Sequence, residues 1–160
     1  MPEATLHLVC GKIGAGKSTL CARLAAEPAT LLISEDHWMA QLYPGELNEL
    51  SDYVRLSARL RAAMTSHIVD VLATGLSVVL DFPANTPGQR SWMRELIDQS
   101  DATHQLHFLD VPDDVCKARL RARNASGEHP FETSDEQFDL FTARFTPPTA
   151  DEGFEVVIES

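Results

Sequence analysis

The octapeptide GKIGAGKS, residues 11–18, sets glycines, a lysine and a hydroxyl residue directly after a compact apolar run, residues 5–10. It meets the pattern G-x-x-x-x-G-K-[ST] at every fixed position. Gly14 and Gly16 let the backbone curl until several N–H groups converge on one concavity. The helix predicted from Lys17 onward adds the positive end of its dipole. Such a cradle fits phosphate oxygens, with Lys17 reaching the β- and γ-phosphates and the Ser18 hydroxyl suited to Mg²⁺. A glycine-rich turn with a chance lysine would share the letters but not the strand before and the helix after. The expected nucleotide contacts are Gly11, Ile13, Gly14, Ala15, Gly16, Lys17, Ser18 and Thr19.

Three acidic residues are expected at the ends of other strands, where open parallel sheets bind their ligands. Asp81 ends the apolar run 76–80 and suits a role in holding Mg²⁺, or else a loop-start carboxylate on a backbone N–H. Asp36 follows the run 29–34, where a carboxylate facing the γ-phosphate would take the proton of an attacking hydroxyl. The other reading makes Asp36 the N-cap of the short helix that follows. Glu35 is a weaker candidate for either job, and Asp110 reads as a turn residue.

The segment 116–124, CKARLRARN, concentrates four cations in an otherwise acidic chain. Arg119 and Arg123 are four apart on one helix face and repel unless an anion lies between them. A triphosphate is such an anion, and arginines there would stabilise charge on the phosphoryl group in transfer; a solvated basic face is the alternative. The helix is expected to break at residues 124–127, and residues 119–131 would form a lid that excludes water.

The elements that must position these groups alternate in type. Short apolar runs at 5–10, 29–34, 76–80, 106–109 and 154–158 read as buried strands, and helical patterns lie between them. The longest helix, 51–73, carries Leu56, Leu60, Met64, Ile68 and Leu72 at i, i+4 steps. Thr86-Pro87 with Gln89, and Ser134 with Gln137, read as helix starts. The pattern predicts one α/β domain over residues 1–160, a five-stranded parallel sheet flanked by helices.

The chain has 160 residues, 44% of them hydrophobic and 23% charged, so disorder throughout is excluded. Its net charge of −11 argues against a duplex nucleic-acid binder and against an anionic membrane surface. Cys10, Cys21 and Cys116 sit in no metal spacing and read as buried free thiols, which fits a reducing, cytoplasmic setting. No apolar run approaches the ~20 residues of a membrane-spanning helix.

Taken with ISEDHW (33–38), VVLDFPANT (78–86) and LDVPDDVCKARLRARN (109–124), the octapeptide resembles P-loop kinases. The group is that of the polynucleotide kinase domain, zeta toxins and chloramphenicol phosphotransferase. More narrowly, the chain resembles bacterial AAA-type ATP-binding proteins and predicted kinases of that group. The resemblance spans nearly the whole chain and implies an adenylate-kinase-like fold. It implies Asp36 as general base, Asp81 as the acid ending the third strand, and Arg119 and Arg123 as phosphate or adenine contacts of a helical lid. Asn85 and Thr86 fall where polynucleotide kinases carry a short segment near the acceptor. Those relatives also place a basic residue shortly after the base; here His37, Trp38, Met39 and Ala40 follow.

The expectation is an ATP- and Mg²⁺-dependent kinase acting on a hydroxyl of a small molecule, with Lys17, Asp36, Arg119 and Arg123 as its catalytic set. A nucleic-acid 5′-hydroxyl is the alternative acceptor, and a nucleotide-dependent switch without acceptor is the alternative class. His37 and Trp38 would line the acceptor pocket or else pack at the core's edge; Arg55 and Arg59 would bind an anionic acceptor or else lie on a solvated face.

Overall fold

The computed structural model describes residues 3–126 and 134–159. Strand β1 (Thr5–Gly11) runs into the glycine loop, and helix α1 (Lys17–Ala25) follows it. Next come β2 (Thr30–Ser34), α2 (Glu35–Leu42), α3 (Leu50–Ala73), β3 (Ser77–Asp81) and α4 (Pro87–Gln99). The chain continues with β4 (Thr103–Leu109), α5 (Asp113–Ser126), α6 (Asp135–Thr142), a 3-10 turn (Ala150–Glu152) and β5 (Val156–Glu159).

All five strands pair in parallel, in the order β2-β3-β1-β4-β5. Alternation along the strands splits the core in two. Leu6, Leu8 and Cys10 of β1, with Val78 and Leu80 of β3, pack against the apolar stripe of α3 and against Trp92, Met93 and Leu96 of α4. Val9 and Val79 point the other way, onto Leu20 and Cys21 of α1, Cys116 and Leu120 of α5 and Phe138 of α6. The single sheet flanked on both faces is the architecture expected from the sequence.

Several boundaries shift, each for a local reason. Strand β2 is an edge strand, so Leu31 and Leu32 are 40% and 41% exposed where the apolar run predicted full burial. Helix α5 continues through Asn124 to Ser126, past the expected break. The remainder of the expected lid, 127–131, lies outside the described residues. The predicted caps are present: the Thr86 hydroxyl accepts from Gln89 N, and Ser134 and Gln137 bond each other's backbone N–H reciprocally.

All three cysteines are free and buried. Burial pushes the Cys10 and Cys21 thiols up, to about 11 and about 12. Only about one thiol in a thousand or fewer would then be thiolate at pH 8, so iodoacetamide should leave both unlabelled in the native protein and label them on denaturation. Mass spectrometry of the two samples checks this.

Among the described residues, no helix is long and apolar enough to cross a membrane.

Candidate active site

Parallel pairing brings the C-terminal ends of β2, β3 and β1 side by side. These ends carry, in that order, the Glu35-Asp36 pair, Asp81 and the glycine loop. One cavity of about 1180 Å³ opens across all three. Six cationic and four acidic residues line it, so the site is net positive within a chain of net charge −11. A polyanion is attracted there although the whole protein repels it at long range.

The loop is held in a phosphate-ready shape. Gly16, the N-cap of α1, has φ +101° and offers no side chain to its own helix, so the first-turn N–H groups stay available to a ligand. Gly14 has φ +82°, and a Cβ there would lie 2.8 Å from Cys116 O and 3.0 Å from Leu120 Cγ. Gly14→Ala is therefore expected to cost about 2–3 kcal/mol from the left-handed backbone and the clash with α5, together with nucleotide affinity. Thermal melting about 6 °C lower, read beside nucleotide titration, checks it.

Two further contacts brace the loop. Asn85 Oδ1 accepts from Gly11 N at 3.1 Å, and Arg119 donates to Ala15 O at 3.0 Å. Asn85 thus lines the cavity with its carboxamide oxygen committed to the loop. Lys12 pairs with Asp113 at 2.6 Å, tying the loop to the start of α5.

Lys17 Nζ lies 2.8 Å from Asp81 Oδ1. The ammonium rests on the strand-end carboxylate. Asp81 and the Ser18 hydroxyl supply only hard oxygen donors, and no group of three or more His, Cys, Asp or Glu among the described residues forms a protein cage. That donor set fits Mg²⁺, which keeps water and phosphate oxygens as most of its ligands.

Asp36 sits in the first turn of α2, exposed and lining the cavity. The N-cap of α2 is Ser34, whose hydroxyl accepts from His37 N at 3.3 Å, so capping is not the work of Asp36. Arg123 lines the same cavity as Arg119, whereas Arg121 pairs with Asp135 and ties α5 to α6. Of the expected contact residues, Gly11, Ile13, Gly14, Gly16, Lys17, Ser18 and Thr19 line the cavity; the Ala15 side chain is instead packed in the core.

His37, Trp38, Arg55 and Arg59 are all exposed and lie outside the cavity lining. Trp38, 39% exposed, is neither core nor pocket wall.

The structure adds residues that the sequence reading passed over. Tyr53, Ser57 and Arg61 follow i, i+4, i+8 on α3 and form a polar strip beside its apolar stripe, facing the cavity. That spacing was the available signal. Glu35, ranked below Asp36, is 2% exposed and accepts the Tyr53 hydroxyl on Oε1 at 2.6 Å. Burial raises its pKa most; Tyr53 and the nearby Lys17 and Arg61 pull it back, Asp36 pushes it further, and the net shift is upward.

Comparison with solved structures finds the same fold in several proteins. A Chloroflexus aurantiacus protein provisionally described as a kinase superposes with a TM-score of 0.73 at 21% identity, over 99% of this chain and 86% of that one. A sugar kinase from Janibacter sp. gives 0.66 at 17% identity, covering 99% and 85%. Kti12 of Chaetomium thermophilum, in complex with ADP-AlF3, gives 0.65 at 15% identity, covering 97% and 88%. At these identities the likeness is one of fold. A comparison with curated proteins gave no match. A family model described as an AAA domain matches residues 6–148, from the first strand to beyond the last helix. Because that match takes in the glycine loop, the acidic strand ends and the arginine helix together, the chain belongs to the AAA_33 family of AAA domains.

Proposed function

We propose that the protein is an ATP-dependent phosphotransferase that moves the γ-phosphate to a hydroxyl of a small-molecule acceptor. The observation that supports this best is the shared cavity: the phosphate loop with its Lys17–Asp81 pair and the exposed Asp36 line one space.

The α1 amides and Lys17 bind the triphosphate, and Lys17 exchanges Asp81 for phosphate oxygens when it does so. Ser18 and Asp81 would hold Mg²⁺, which neutralises charge on the phosphate oxygens when bound. Asp36 orients the acceptor hydroxyl and takes its proton. The acceptor oxygen bonds to the γ-phosphorus as the bond from that phosphorus to the β–γ bridging oxygen breaks. ADP leaves with the electron pair, and the proton passes from Asp36 to solvent. Arg119 and Arg123 offset charge on the phosphoryl group in flight. Catalysis is positioning and charge stabilisation, with no covalent enzyme intermediate.

The test is incubation with γ-labelled ATP and Mg²⁺ in a cell extract divided into small-molecule and RNA fractions. Label in the small-molecule fraction is the expected result. Label on RNA ends would replace the acceptor class. ATP hydrolysis at one rate with and without either fraction would overturn transfer and leave a nucleotide-dependent switch.

A further inference from the structure

We infer that Glu35 is a specificity-determining residue: it holds a second hydrogen-bond donor of the acceptor, next to the hydroxyl that Asp36 activates. The acceptor is then a vicinal diol or a β-amino alcohol. This rests on the phosphotransferase reading.

Glu35 lines the cavity, and its two oxygens are treated unequally. Oε1 takes the Tyr53 hydroxyl at 2.6 Å. Oε2 is buried and has no hydrogen-bond partner among the described residues. A buried carboxyl oxygen without a partner is costly, and in a cavity wall the occupant is what completes it. The donor set narrows the occupant's chemistry. Glu35 already accepts the Tyr53 O–H on Oε1, and an accepting Oε2 has an O–H or N–H as its complement. Glu35 and Asp36 both line the cavity from the first turn of α2, near enough for the Asp36 charge to act on Glu35, so the donor and the reacting hydroxyl are carried close together on the ligand.

The surroundings agree. Arg61, two turns beyond Tyr53 on the polar strip of α3, lies near enough to offset charge on the Glu35 carboxyl. Leu47 before α3, and Leu50 and Val54 in its first turns, are all exposed, line the same cavity and suit an apolar body on the acceptor. Burial holds the Glu35 pKa up, and a donor on Oε2 would act against that by favouring the ionised form.

Periodate tests this, because it cleaves the carbon–carbon bond of vicinal diols and of β-amino alcohols. One half of a small-molecule extract is treated and the excess reagent destroyed; both halves then receive protein, γ-labelled ATP and Mg²⁺. Treatment is expected to lower label incorporation at least tenfold, while treated extract spiked with untreated extract still labels. With the labelled acceptor purified, Glu35→Gln should raise its KM at least tenfold with kcat within threefold, and Tyr53→Phe should shift KM the same way by less. Label that survives periodate, or an unchanged KM in Glu35→Gln, overturns the inference while the phosphotransferase reading stands. No label in the untreated half overturns that reading, and the inference with it.

Discussion

Asp36→Asn should lower phosphoryl transfer by about a thousandfold, in the range of ten thousand to a hundred that a positioned general base contributes. Nucleotide affinity should stay within a fewfold of wild type. The separation follows from geometry. The proposed phosphate contacts come from the loop after β1 and from Lys17, whereas Asp36 lines the cavity from the first turn of α2. Asparagine keeps the shape of the side chain and removes the proton acceptor. Stability should hardly move, because Ser34 rather than Asp36 caps the helix. What remains is one exposed charge near a helix N-terminus, about 0.3–1 kcal/mol. Single-turnover transfer on the labelled acceptor, beside nucleotide titration and a thermal melt, reads all three quantities. Transfer at the wild-type rate would remove Asp36 from the mechanism. Parallel losses of transfer, binding and melting temperature would make it structural instead.

How much of this was legible in the sequence depends on where the signal resides. The phosphate loop was readable because its chemistry needs glycines at fixed positions between a strand and a helix, and those requirements are local. The placement of Asp36 and Asp81 was readable because parallel strands deliver their C-terminal ends to one edge, so an acid ending an apolar run has a predictable address. The order β2-β3-β1 then turned three distant segments into neighbours, which no local pattern states. Edge exposure of Leu31 and Leu32 was hidden for the same reason: position in a sheet belongs to the topology.

Glu35 was hidden differently. Side by side in sequence, Glu35 and Asp36 look interchangeable, yet the helix buries one against Tyr53 and leaves the other exposed, with both lining the cavity. Periodicity could have separated them. Glu35 and Met39, four apart on α2, are its two buried residues and lie on one face, and Asp36 lies off that face. Residue type alone does not separate them: ionisable side chains are rarely fully buried unless paired, and that bias favours reading both as exposed.

Arg90 is the extreme case of that bias, and its removal should give the largest loss of stability. Arg90 lies three before Met93 and six before Leu96 on the buried face of α4 and is 1% exposed. Its guanidinium bonds Glu152 at 2.9 and 3.1 Å, and donates to Ala84 O at 2.9 Å and Thr146 O at 2.7 Å. Arg90→Met fills much of the volume but strands a carboxylate and two carbonyls, so about 3–5 kcal/mol should be lost. Total stability of ordinary domains is about 5–15 kcal/mol, so the variant would fold only marginally. The loss should reach the site. Ala84 precedes Asn85, which braces Gly11 N, and Thr146 N donates to Asn85 O at 2.8 Å. Nucleotide affinity should therefore fall although no Arg90 atom lines the cavity. The pH dependence separates this ion pair from packing. Burial raises the Glu152 carboxyl pKa, but Arg90 and the Thr149 N–H together outweigh it, and the net shift is downward from 4.5. A depressed carboxyl stabilises the fold above its unfolded pKa, and that contribution is lost as pH falls through the folded one. Denaturant midpoints of wild type and Arg90→Met should thus lie furthest apart near pH 7, and the gap should narrow as pH falls below about 4.5. A constant gap down to pH 3 would mean that Arg90 stabilises through packing and its carbonyl bonds alone.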